Sequence, residues 1–323
     1  MICRIPGLKG EERIELEKKF DSEADFSLLS KKDIESILGR AQRGRSWTMA
    51  QIRRAAEKDA AALKIGGIHR VSWRERAYPP LLREIYDPPA VLFYRGALPD
   101  PEKPLVAVVG TRKPSSGGAA RAFTLGRELG EAGIPVVSGL ALGIDAMAHR
   151  GNIEGGCPTL AVLGSGPDQL YPSSNRSLAR RILETGGVIL SEYPPGTEPK
   201  KWNFPARNRI ISGMARGTVI VEAPQRSGAL ITARFALEQN RDLWVDRAGV
   251  SSPRSEGTAR LAEEGAAVLD SAGDILAEWN IAFPGNRGNG KGKQTGAARH
   301  AAQDDVGGEG LASSLAEYLN IKL

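Results

Sequence analysis

Apolar positions fall into two different rhythms along this chain. Up to about residue 65 they sit among Lys, Glu and Ala at helical intervals. There IPGLKGEERIELEKKF opens as a Gly-bounded turn and continues as an amphipathic run, which predicts a small domain of short helices over 1–65. From Tyr78 the run YPPLLREIYDPPAVLFYRG holds too many prolines for a regular helix or a central strand. It predicts an ordered connector, 66–104, that ends in a short strand at Val91–Tyr94. Between Leu105 and Glu278 the pattern changes to β-branched runs separated by helix-length segments: VAVVG at Val106–Gly110, PVVSG at Pro135–Gly139, TLAVLG at Thr159–Gly164, VILSEY at Val188–Tyr193, TVIVEA at Thr218–Ala223 and DLWVD at Asp242–Asp246. Strands that are apolar on both sides and alternate with helices belong to a parallel sheet covered on both faces. The expected fold class is therefore α/β, a doubly wound, Rossmann-like, mostly parallel sheet over 105–281, with ligands beyond the carboxyl ends of its strands.

Past Trp279 the sequence PGNRGNGKGKQTGAARHAAQDDVGGEG is too polar and Gly-rich to offset the entropy of folding, so a flexible linker is expected over 282–310. The final LASSLAEYLNIKL has apolar residues at helical spacing and predicts one short helix, 311–323.

Composition narrows the function classes. A chain of 323 residues with 41% hydrophobic and 25% charged residues can bury a core without disulfides or metals. No apolar stretch approaches the ~20 residues that span a bilayer, and the N-terminus turns charged before an export signal could form, so a cytoplasmic protein with no membrane contact is expected. Cys3 and Cys157 are isolated, and His69, His149 and His300 lie far apart, so neither a metal site nor a cofactor is expected. The net charge of +6 permits a polyanionic partner.

Candidate chemistry gathers at strand ends. After the first central strand, Gly110, Thr111, Arg112, Lys113 and Ser115 form a strand-to-helix turn where backbone N–H groups and a positive helix end suit a phosphate, although such residues also make ordinary tight turns. After the second, Ser138 and Gly139 lead to Asp145 and His149, which read as capping and packing residues rather than as a base, because no nucleophile accompanies them. In PKKWNFPARNRII, the cations Lys200, Lys201, Arg207 and Arg209 interleave with Trp202 and Phe204, beside Asn208. Charge for a backbone and aromatic faces for bases are what a single-stranded nucleic acid needs. Ser227 and Gly228 offer a further helix start for phosphate or for capping. Gly7–Gly10 is either a phosphate-gripping hairpin or only a turn. The fingerprints GxGxxG, GxxxxGK[ST] and GxSxG are absent, which favours binding over catalysis.

Seven collinear segments, YPPLLREIYDPPAVLFYRG, VAVVGTRKPSSGG, VVSGLALGIDAMAH, AVLGSGPDQLYPSSN, SEYPPGTEP, NFPARNRIISG and VIVEAPQRSGALITARFALEQNRDLWV, together resemble the DprA/Smf family over roughly residues 70 to 270. The resemblance implies a Rossmann-like domain that binds single-stranded DNA, a SAM-like N-terminal helical domain, and a homodimer that loads the RecA recombinase on incoming DNA in natural transformation or DNA processing, without catalysis. It maps the Gly-Ser/Thr-Arg loop onto Gly110, Thr111 and Arg112, with Arg112 on phosphate or a base. It maps the FPxRNR element onto Phe204, Arg207, Asn208 and Arg209, with Lys200 or Lys201 adding a phosphate contact. The chain departs from the pattern at Leu142, where the family commonly has Arg, at Asp246–Gly249 in place of a VPG strand end, and at Ala262 in place of a large apolar residue. The competing enzyme reading resembles the LOG-type nucleoside monophosphate phosphoribohydrolases, but Pro224–Thr232 lacks that family's second Gly and its Glu. An NAD-dependent oxidoreductase is more distant still.

Overall fold

A computed structural model describes residues 1–282 apart from 21, 43–45 and 253–254; the linker and last helix expected over 282–323 fall almost wholly outside the described residues. The N-terminal segment folds as α1 (Gly10–Lys19), α2 (Glu23–Ser27), α3 (Lys31–Leu38) and α4 (Met49–Gly66). Their boundaries follow from local chemistry. Ser30 with Asp33, and Thr48 with Gln51, form reciprocal capping boxes at the starts of α3 and α4, while Gly39 and Gly67 end those helices in the left-handed conformation. Ile5, Leu16, Phe26, Ile34, Trp47 and Ile52 bury one common cluster between them.

The rest of the described chain builds one nine-stranded sheet from β1 (His69–Ser72), β2 (Val91–Gly96), β3 (Val106–Val109), β4 (Val136–Ser138), β5 (Leu160–Leu163), β6 (Val188–Ser191), β7 (Gly217–Ile220), β8 (Asp242–Asp246) and β9 (Ala267–Leu269), in the order β1-β2-β6-β5-β4-β3-β7-β8-β9. From β6 across to β9 every pairing is parallel; β2 runs antiparallel to β6, and β1 antiparallel to β2. The α/β fold with its mostly parallel sheet is thus as the alternating pattern predicts. Two strands escape that pattern. β1 (HRVS) exposes half its residues and β9 is three residues long, so neither shows an apolar run; each is made a strand by the neighbour it pairs with. The prolines of the connector stop short of β2, at Pro88 and Pro89, which lets β2 take an interior place between β1 and β6.

Between these strands lie α5 (Pro80–Arg83), α6 (Ser116–Glu131), α7 (Ile144–Glu154), α8 (Arg176–Glu184), α9 (Asn203–Met214), α10 (Gly228–Glu238), α11 (Arg247–Val250), α12 (Glu256–Glu263) and α13 (Ala272–Glu278). Period-two alternation sorts the core. Val106 and Val108 of β3 face α6, α7 and α13, whereas Ala107 and Val109 face α9 and α10. Helices α6 and α7 approach closely because a Cβ on Gly126 would stand 2.3 Å from the Ala148 carbonyl, and one on Gly151 would stand 2.0 Å from that of Phe123. Among the described residues no helix is long and apolar enough to cross a membrane.

His149 on α7 is fully buried, as a packing residue. Thr159 Oγ1 donates to the Val136 carbonyl, so it must accept from His149 Nδ1 at 2.7 Å, which fixes the neutral tautomer with its proton on Nδ1. Nε2 has no partner, and burial, with the Arg207 cation adding to it, holds the imidazole pKa down at about 3 against an ordinary 6.5. Between those values the unfolded chain binds a proton that the folded chain does not, so stability rises with pH through this window and is lost as pH falls below 6.5. At pH 5 the contribution lost is about 2 kcal/mol. Thermal unfolding from pH 7.5 to 5 should show this fall, and His149→Asn should flatten it; an equally steep fall in the variant would exclude His149 as its source.

Candidate functional site

The strand order reverses between β3 and β7: from β3 the chain works outward through β4, β5 and β6, then returns to β7 on the other side. A crevice opens above such a switch point, where adjacent loops diverge. Here it is a cleft of about 870 Å³, walled by the loops after β3, β4 and β7 and by the first turns of α9 and α10.

The first wall is the loop after β3. Thr111 N–H donates to the Glu222 carbonyl at 2.7 Å, and Ile144 N–H donates to the Thr111 carbonyl at 3.2 Å, so the loop is stapled to the segment after β7 and to the start of α7. Arg112 and Lys113 are exposed at its tip. Ser115 caps α6 by accepting from Gly118 N–H at 2.9 Å. The positive end of α6, expected to be open to phosphate, is already filled. The buried Glu222 carboxylate at the end of β7 accepts from Ser115 Oγ at 2.7 Å and from Ser115 N–H at 3.1 and 3.2 Å. A Cβ on Gly118 would stand 1.9 Å from Glu222 Oε2, so only glycine admits the carboxylate there.

The second wall follows β4. Leu140 takes a positive φ of 56° although it is not a glycine, and the turn is held from two sides. Asn175 Nδ2 donates to the carbonyls of Leu140 and Ala141 at 2.9 and 3.2 Å, while Asp145 Oδ2 accepts from Gly139 N–H at 3.1 Å and Ala141 N–H at 3.4 Å. Asp145 therefore serves a structural hydrogen-bond role. Its carboxyl pKa is raised by burial, against which Arg207 and the two N–H donors act.

The third wall is α9. Asn203 Nδ2 anchors its start to the Gly164 carbonyl at 2.9 Å. This sets Phe204 against Tyr171, ring centroids 5.4 Å apart, and beneath Arg112, whose guanidinium carbon lies 5.6 Å from the Phe204 ring centre. Arg207 lies buried at the base, its Nη1 donating to the carbonyls of Gly139 (2.9 Å) and Val162. Burial pushes this guanidinium down to about 10, with Arg112 adding to the effect and Asp145 opposing it, so it stays charged at neutral pH. Asn208 Nδ2 donates to the Gly228 carbonyl at 3.1 Å and ties α9 to α10, whose start is capped by Ser227.

The cleft thus brings together Gly110, Thr111, Arg112, Lys113, Lys201, Phe204, Arg207, Asn208, Ser227 and Gly228. Gly139 lines an adjoining recess of about 50 Å³ that shares Arg112, Tyr171, Phe204 and Arg207 with the cleft. Four expected residues are placed otherwise. Ser138 is fully buried and donates to the Val108 carbonyl at 2.7 Å, because a residue still inside the sheet has no solvent to face. Ser115 is consumed by capping and by Glu222. Lys200 lies outside the cleft lining, 5.6 Å from the ring of the exposed Trp202. Arg209, two residues past Arg207 on a helix and so turned by about 200°, points away from the cleft and is paired with Glu192 (2.8 Å) and Asp87 (3.0 Å). Arg209, expected among the DNA-binding residues, thus stands outside the cleft lining in a structural ion pair.

The lining also includes Tyr171, Arg226 and Glu222, which were not singled out from the sequence as site residues. Tyr171 stands in a loop between β5 and α8 and gains its place only through Phe204. Arg226 precedes Ser227 in the same loop. Glu222 left a legible mark, as an acid ending the otherwise apolar run TVIVEA. Among the described residues no cluster of His, Cys, Asp and Glu could hold a metal.

Known proteins share this sequence pattern and fold. The chain is 44% identical over 204 residues to DNA processing protein DprA of Streptococcus pneumoniae, covering 63% of this chain and 72% of that protein. The X-ray structure of DprA from the same organism superposes with a TM-score of 0.71 at 37% identity, covering 86% of this chain and 95% of that one. DNA processing protein A from Helicobacter pylori, a structure described for its single-stranded DNA binding mode, superposes with a TM-score of 0.59 at 29% identity, covering 66% and 95%. With a family model for DNA recombination-mediator protein A matching residues 69–280, more than half of its length, the chain belongs to that family, the DprA/Smf DNA processing proteins.

Proposed function

We propose that this protein binds single-stranded DNA in the cleft above β3 and β7 and acts, without catalysis, as a cytoplasmic recombination mediator that loads RecA on the strand, working as a homodimer. The observation that carries the DNA reading is the cluster of Arg112, Phe204 and Tyr171 beside the exposed cations Lys113, Lys201 and Arg226. Aromatic faces take unpaired bases at about 1–3 kcal/mol each, and the cations follow the phosphates. In this reading Arg112, Lys113 and Lys201 contact the backbone, Phe204 stacks, and Arg207 with Asn208 fixes α9 in place. Gly110, Thr111, Gly139, Ser227 and Gly228 supply the close backbone surface. The RecA step rests on family membership.

If four rim cations each neutralise one phosphate, log Kobs should fall with log salt at a slope of about −3, because each contact releases a condensed counterion with a slope near −0.7 on a single strand. A mobility-shift titration of a thymidine 20-mer and of the matching duplex, at several salt concentrations, measures this. A slope near zero, or tighter binding of the duplex, would overturn the reading. A second series with RecA added tests loading through faster filament formation on the bound strand.

A further inference from the structure

We infer that Glu222 is an internal anion that takes the phosphate place of this fold and so makes the cleft select a polynucleotide strand over a mononucleotide, an inference that rests on the single-stranded DNA reading.

Doubly wound folds bind mononucleotides by setting a terminal phosphate on the N-terminus of the helix after a strand at the switch point, where backbone N–H groups and the helix dipole converge. In this chain that helix is α6, and the place is taken. The Glu222 carboxylate accepts three hydrogen bonds from Ser115, is 1% exposed, and lies so close to Gly118 that no side chain fits between them. It also lines the cleft. A phosphate arriving at α6 would meet both the volume of the carboxylate and a like charge held away from water.

The cations stand elsewhere. Arg112, Lys113, Lys201 and Arg226 lie on exposed loop tips, spread around the cleft rather than focused on α6. A polymer can place successive phosphates on these separate points while its bases reach the aromatic floor. A mononucleotide has a single phosphate, cannot engage several points at once, and finds the one buried anion position closed.

The test compares wild type with Glu222→Ala in the full chain, using calorimetric titration with dAMP, inorganic phosphate and deoxyadenosine, and a thymidine 20-mer in parallel. Wild type should show weak binding of dAMP and phosphate. The variant should bind both at least tenfold more tightly, with no gain for deoxyadenosine, which lacks the phosphate, and with a gain for the oligomer smaller than that for dAMP, so that the preference for the strand over the mononucleotide falls. An unchanged affinity for dAMP and phosphate in the folded variant, or an equal gain for deoxyadenosine, would overturn the assignment. Should Glu222→Ala fail to fold, Glu222→Gln keeps the shape and removes the charge; at least a threefold gain for dAMP is expected, and no gain overturns the assignment. Failure of wild type to bind the oligomer would instead remove the DNA reading, and the dAMP comparison would still report on Glu222.

Discussion

The double reversal Arg112→Glu, Lys201→Glu is expected to lower affinity for a thymidine 20-mer by at least a hundredfold at 0.1 M salt. Arg112 is exposed at a loop tip and packs its guanidinium on Phe204, so its loss removes a phosphate contact and uncovers one side of the stacking platform. Lys201 lines the same cleft from the start of α9. Each reversal also sets a carboxylate where a phosphate must pass, at a cost of about 1–2 kcal/mol per site near a protein surface. Among the described residues neither forms an ion pair, and both side chains are exposed, so thermal stability should stay within about 1 kcal/mol of wild type. Arg127→Gln, on the far end of α6 where Arg127 pairs with Glu131, is the control and should leave binding within twofold. Wild-type affinity in the double variant would remove the cleft as the binding surface.

Arg209→Met is expected to do the reverse, costing about 3–5 kcal/mol of stability and a fall in Tm of about 10 °C or more. Arg209 holds Glu192 through two hydrogen bonds, at 2.9 and 2.8 Å, and donates to both the carbonyl and the carboxylate of Asp87. Asp87 in turn accepts from Gly10 N–H at 2.8 Å, the first residue of α1. Removing the cation leaves the half-buried Glu192 and Asp87 carboxylates without the partner they share, and loosens the junction between α9 and the N-terminal helices. Because the side chain points away from the cleft, DNA affinity of the folded protein at low temperature should change less than threefold. A large loss of affinity with unchanged stability would show instead that Arg209 reaches the strand.

Arg207 and Arg209 also mark the limit of what could be read from residues alone. The motif NFPARNR announces cations beside an aromatic, and both arginines are equal candidates on a list. On α9 they point in different directions, so one becomes the floor of the cleft and the other a structural ion pair. The same holds for Ser115 and Ser138. Small polar residues at strand ends suit a ligand, but one caps a helix and the other satisfies a carbonyl inside the sheet.

By itself, the sequence determined the parallel sheet, its six central strands and the loops that carry Arg112, Lys201 and Phe204, because near-continuous apolar runs and strand-end glycines act locally and leave a readable period. It did not determine β1 or β9, which are strands only because a neighbour offers them a free edge. Nor did it determine which anion sits at the start of α6. Glu222 reaches Ser115 across 107 residues of chain, and that meeting exists only once β3 and β7 lie side by side. Contacts between segments so distant follow from strand order and helix phase, which are properties of the packed molecule as a whole.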